Sequence, residues 1–282
     1  MKLVALVDGS TYTRSVADHA AWIVGRTGAT LDLLHAIGRR ETSSAPTNLS
    51  GSISLGARTA LLQELSTLDE QRARLAQKRG RAILDDVAEL LSEAGVTATP
   101  RLRTGDLIEA IEDAESDVDM IVVGKRGEAA DFAKLHLGSN LERVVRGSKK
   151  PVLVASRAFK PINRFLIAYD GSASAMRAVD HVARSPLFSG LECHIVTVGE
   201  DKTETRRKLE GAVALLKGGG HTVTASVVPG QPERAISAYV ENEGIDLLAM
   251  GSHGHSRIRQ LIIGSSTTAM LRSCKIPIVV FR

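Results

Sequence analysis

The chain has 282 residues, 43% of them hydrophobic, enough for one large domain or two ordinary ones with real cores. Its 36 basic residues stand against 32 acidic ones, a net charge of +4, and only 3% are aromatic, which argues against a stacking platform for single-stranded nucleic acid. No stretch approaches the roughly 18 apolar residues of a membrane span, and Cys193 and Cys274 lack the paired spacing of a zinc site or redox dithiol.

The N-terminus enters directly into Lys2-Leu3-Val4-Ala5-Leu6-Val7-Asp8, an apolar run too short for a signal sequence. Together with the scarcity of cysteine, this sets the expectation of a soluble cytoplasmic protein with no membrane or nucleic-acid partner. Strands are expected at about 2–7, 30–36, 97–103, 118–123 and 151–155. Amphipathic helices between them are expected at 12–26, 68–94, 105–115 and 139–147. An excursion at about 39–67 carries Pro46, Gly51 and Gly56, and reads as a surface segment leading into the long second helix. The only dense basic patch, Arg143 and Arg146 followed by Lys149-Lys150, reads as solvated surface. A short linker, 156–162, contains Pro161. Beyond it, strands are expected at 163–169, 191–198, 222–228, 245–250 and 277–281, and helices at 173–186, 203–217, 231–243 and 265–273.

The second set repeats the first. Leu6-Val7-Asp8-Gly9-Ser10 recurs as Ala168-Tyr169-Asp170-Gly171-Ser172, and the same offset pairs Asp18-His19 with Asp180-His181 and Gly28 with Gly190. Further on, Gly105 matches Gly230, Gly124 matches Gly251 and Pro151 matches Pro277. The chain is therefore a duplicated unit, with domains expected at 1–157 and 158–282. Strands alternating with helices require crossovers and give a parallel sheet. Apolar runs rather than alternation fit a sheet covered on both faces. The fold class is α/β: two tandem doubly wound domains, each with a five-stranded parallel sheet flanked by helices.

After the apolar run Asp246-Leu247-Leu248-Ala249-Met250 comes Gly251-Ser252-His253-Gly254, then nine residues, then Gly264-Ser265-Ser266-Thr267. Glycines let a backbone approach an anion closely, exposed N–H groups bind its oxygens, and small hydroxyls add donors. The loop leaves the carboxyl end of a strand, where open α/β sheets bind ligands. These residues predict a phosphate site.

With these residues the chain resembles the tandem form of the universal stress protein family. The resemblance covers nearly the whole chain. Residues 251–265 match the family's nucleotide signature Gly-x2-Gly-x9-Gly-(Ser/Thr), and Asp170 matches its carboxylate at the end of strand one. The resemblance implies ATP, with or without magnesium, as the ligand. It places Asp170 against the nucleoside, Ala168 and Tyr169 as walls of the base, and Val196 to Val198 beside the adenine. Met250 then flanks the nucleoside, Gly251, His253 and Gly254 line the near side of the phosphates, and Gly264, Ser265, Ser266 and Thr267 close the far side. In the first half, Asp8 is in place and Gly124-Lys125-Arg126-Gly127 leads to Gly138-Ser139, but the spacer is ten residues. The extra residue is either absorbed as a bulge or displaces Gly138 and Ser139; Lys125 and Arg126 would favour phosphate. The family's habit further implies that the two halves pack through their last strands, and that two chains form a homodimer.

Plainer roles compete. Ser10 and Ser172 read as helix caps, and His19 and His181 as structural side chains in matching packing environments. His253 and His255 lack the acidic or cysteine company of a metal site. Gly-x-Ser-x-Gly, His-Glu-x-x-His and the Gly-x4-Gly-Lys-(Ser/Thr) P-loop are absent from the sequence. Three functions remain: a stress-response protein regulated by bound ATP, an interaction scaffold whose loops hold no nucleotide, and a slow ATPase.

Overall fold

A computed structural model describes residues 1–38, 41, 55–115, 117–127, 139–252 and 264–282. The first half runs β1 (Lys2–Leu6), α1 (Thr13–Thr27), β2 (Thr30–Ile37), α2 (Leu55–Glu93), β3 (Ala98–Thr104), α3 (Leu107–Glu115), β4 (Met120–Gly124), α4 (Ser139–Gly147) and β5 (Val152–Ala155). The second runs β6 (Arg164–Ala168), α5 (Ala173–Arg184), β7 (Glu192–Val198), α6 (Thr203–Gly218), β8 (Val223–Val228), α7 (Pro232–Asn242), β9 (Leu247–Gly251), α8 (Ser265–Ser273) and β10 (Ile278–Phe281). One 3-10 turn, Pro186–Phe188, follows α5.

The strands lie in one sheet ordered β3-β2-β1-β4-β5-β10-β9-β6-β7-β8. All neighbours are parallel except at the centre, where β5 and β10 run antiparallel with Val154 opposite Ile278, Leu153 opposite Val279 and Val152 opposite Val280. The two expected five-stranded sheets thus join through their last strands. Apolar runs such as Leu3 to Val7 are buried because helices cover both faces. One core lies under α1, α2, α5 and α6 and the other under α3, α4, α7 and α8; each runs unbroken across the β5–β10 seam.

Polar contacts reinforce the seam. Arg26 on α1 donates to the Leu187 carbonyl at 2.6 Å and to that of Ser189. Ser15 donates to the carbonyl of Ser156 at 2.7 Å, and His19 meets Phe159 edge-on with ring centres 5.0 Å apart. His181 packs against Phe281 and Phe188, the matching environment expected of it. Both imidazoles are held below the ordinary histidine range, chiefly by burial.

Helix α2 begins at Leu55 rather than near residue 68, so the surface excursion is partly helical. Gly56, one of the residues named for the excursion, falls within the helix; further along, the Thr67 hydroxyl bonds back to the Gln63 carbonyl at 3.0 Å, a pattern helices tolerate. Residues 39–40 and 42–54 of that excursion lie outside the described residues. Among the described residues no helix is long and apolar enough to cross a membrane.

Candidate functional site

In the second half the ends of β6, β7 and β9 and the starts of α7 and α8 enclose a cleft of about 310 Å³. Its position follows from topology. Strand order reverses direction between β6 and β9, so the crossovers leave a crevice above their carboxyl ends. Register sets Ala168 level with both Val196 and Met250. Ala168, Val196, Val198 and Met250 make the apolar floor, with Asp170, Gly251, Gly264, Ser265, Ser266 and Thr267 around it. His253 and Gly254 lie outside the described residues.

Side chains alternate across a strand, so Ala168 and Tyr169 cannot share a face. Ala168 packs on the α7–α8 side, while the Tyr169 ring belongs to the opposite core with Phe165 and Ile167. Both residues expected to wall the base line the cleft, and the Tyr169 ring itself lies in the opposite core. Burial raises its phenol, helped by Asp170 and opposed by Lys208. Lys208, on α6, passes its aliphatic stem over the turn at Gly171, whose φ of +76° suits glycine.

The Asp170 carboxylate accepts from the Ser172 amide at 2.9 Å, and the Ser172 hydroxyl accepts from the Ala175 amide at 3.2 Å. Ser172 therefore caps α5 as expected. Ser10 does not cap α1, which starts at Thr13; its hydroxyl accepts from the Tyr12 amide and donates to the Arg126 carbonyl. The opposite rim is the start of α8. Gly264 caps that helix and its amide donates to the Ser252 carbonyl at 3.0 Å. The following amides of Ser265 to Thr267 head the helix, where its dipole favours an anion. Thr267 is buried, and its hydroxyl is directed at the carbonyls of Gly251 (3.1 Å) and Ser252 (3.3 Å). It fastens α8 to β9 rather than offering that proton to a ligand.

Gly251 has a packing role of its own. A Cβ there would lie 2.4 Å from the Ser174 hydroxyl oxygen and 2.8 Å from the Ala175 amide nitrogen, so glycine is what lets α5 start against β9. Two cleft residues escaped sequence reasoning, Pro232 and Ile236 at the start of α7. They come from a separate crossover, and the signal was the Gly230-Gln231-Pro232 opening of that helix beside the strand ends.

The matching region of the first half is narrower, about 70 Å³. Asp8, Gly124 and Gly127 are brought together there, and Gly127 lies so close to Asp8 that a Cβ would sit 2.8 Å from its carboxylate. Tyr12 fills the space beside Gly124, with its Cβ 2.8 Å from where a glycine Cβ would project. Gly138 lies outside the described residues, and Ser139 is described only as the first residue of α4. Lys125 does not serve the loop as expected. It crosses the seam and donates to the carbonyl of Cys274 at 2.7 Å, at the end of α8. Burial lowers its ammonium.

The sequence model of the universal stress protein family matches residues 1–156 and 198–282. A universal stress protein of Synechocystis sp. (strain ATCC 27184 / PCC 6803 / Kazusa) is 39% identical over 287 residues, covering 100% of both chains. One from Mycolicibacterium smegmatis is 26% identical over 234 residues, 76% of this chain and 78% of that relative. The crystal structure of a universal stress protein from Archaeoglobus fulgidus DSM 4304 covers 100% of this chain and 98% of its own, with a TM-score of 0.75 at 24% identity, an agreement in fold.

Proposed function

The chain belongs to the universal stress protein family, and on that premise we propose that it binds an adenine nucleotide, ATP in the first instance, in the cleft of its second half. The observation that carries this reading is the cleft of about 310 Å³, with an apolar floor at one end and the start of α8 at the other. That is the size and mixture of surfaces expected of a small-molecule site. Adenine would lie on Ala168, Val196, Val198, Met250 and Ile236. The Asp170 carboxylate would accept from ribose hydroxyls, and the amides of Ser265 and Ser266 would face the phosphates. Magnesium would travel with the phosphates, which suits an ion that keeps most of its own waters. The nucleotide would act by its differential affinity for two states of the protein, biasing a partner surface rather than being consumed. In the first half, the Tyr12 ring favours a scaffold role without nucleotide.

Calorimetric titration with ATP tests this reading. One site per chain is expected, weakened at least about tenfold by Ala168→Leu, which fills the floor, and by Asp170→Ala. These variants avoid Gly251, whose replacement disturbs packing whether or not a ligand binds. No heat at millimolar ATP would leave the scaffold reading standing. Steady phosphate release abolished by Asp170→Ala would mark a slow ATPase instead.

A further inference from the structure

We propose that the exposed portion of α2 is a self-association arm, and that the arms of two chains pack against each other antiparallel. From residue 59 to 79 no side chain of the helix is buried, whereas Gly80 lies against Leu102 and His35, and Leu84, Val87 and Leu91 enter the core. The unburied part is about 30 Å long at roughly 1.5 Å per residue. Helices in proteins owe most of their stability to packing of an apolar face, and among the described residues this one has such a face at most partly covered.

The face has a coiled-coil pattern. Leu61, Leu65, Leu68, Arg72 and Leu75 follow the alternating four- and three-residue steps of a heptad seam, and Leu62 flanks it. Among the described residues, the exposed large hydrophobic side chains are Met1, Leu62, Leu68, Leu75 and Leu215. Three of the five sit on this arm, with exposures of 50%, 45% and 68% for Leu62, Leu68 and Leu75. Such concentration marks an interaction surface rather than scattered surface leucines.

Charge selects the occupant and its direction. Glu64, Asp69 and Glu70 precede the centre of the arm, and Arg72, Arg74, Lys78 and Arg79 follow it. Parallel arms would set acid against acid and base against base. An antiparallel pair crossing near Gln71 sets each acidic half beside a basic half, with Leu65 near the partner's Leu75 and Glu64 near the partner's Lys78. The contact is its own complement, as a closed two-fold dimer requires. The intrahelical pair of Asp69 and Arg72, 4.0 Å apart and partly exposed, is a weak contact of the kind that a partner can replace.

Sedimentation and light scattering on the full chain test the proposal. The expected mass is twice 30.1 kDa. Leu68→Glu combined with Leu75→Glu should give a monomer with unchanged circular dichroism. Glu64→Lys alone should weaken the dimer about tenfold through two symmetric contacts, and adding Lys78→Glu should restore it. A monomeric parent, as expected if another segment of the same chain covers the leucines, overturns the proposal. So does a dimer that survives the double glutamate variant, or a charge swap without recovery.

Discussion

Tyr12 and Ser174 stand at the same place in the two repeats, each against the glycine that ends a central strand, Gly124 or Gly251. A phenol ring in one and a hydroxymethyl group in the other accompany clefts of about 70 and 310 Å³. Tyr12→Ser should therefore open the first cleft. Losing a buried aromatic ring should cost about 3–5 kcal/mol, read as a lower denaturation midpoint. A structure of the variant with the first cleft still closed would show that the 124–127 loop, not the ring, fills it.

Gly251→Ala should destabilise the protein by about 1–3 kcal/mol without any nucleotide present, because the new methyl meets the start of α5. Chemical denaturation of the ligand-free protein measures this. An unchanged midpoint would mean that α5 yields easily and that the glycine serves a ligand instead.

Acid should destabilise the fold before the carboxylates titrate. Burial holds His19 and His181 below the ordinary value of 6.5, against the pull of the Ser15 carbonyl and Asp18 on the first and of Asp180 and Asp119 on the second. The unfolded chain takes up protons below about 6.5, while the folded imidazoles resist until a lower pH. Their contribution is thus present above about pH 6.5 and lost as pH falls. The melting temperature should drop between about pH 7.5 and 5, and His19→Leu should flatten part of the drop. A level profile in the parent would refute the assignment.

Cys193 should be inert in the native state. Burial pushes its thiol up to about 12, and burial also raises that of Cys274. At about pH 8, iodoacetamide should label neither cysteine until denaturant is added. Prompt labelling of Cys193 in the folded protein would show that its core opens locally.

Much of this was legible in the residues. Apolar runs bounded by glycine located the strands, and the repeat predicted that Val152–Ala155 and Ile278–Phe281 would be equivalent. Pairing through those strands came from the family resemblance. What stayed hidden depends on direction in space. Lys125 reads as a phosphate ligand until the seam brings the end of α8 within its reach. Pro232 and Ile236 join the cleft only because a distant crossover ends beside β6. Strand alternation turns the Tyr169 ring away from the face that Ala168 presents, although both residues line the cleft. The early start of α2 was masked by Gly51 and Gly56, which read as loop residues; the low helix propensity of Gly56 is overridden by its place beside a long leucine-rich run.

The reversal at β5 and β10 has a geometric outcome. Strands of the two halves advance in opposite senses, so the roomy cleft and the tyrosine-filled one open toward opposite borders of the sheet. No single small molecule can bridge them. Any coupling between the two borders has to pass through the shared centre, where the ladder of Val152, Leu153 and Val154, the two continuous cores and the bond from Lys125 to Cys274 join the halves.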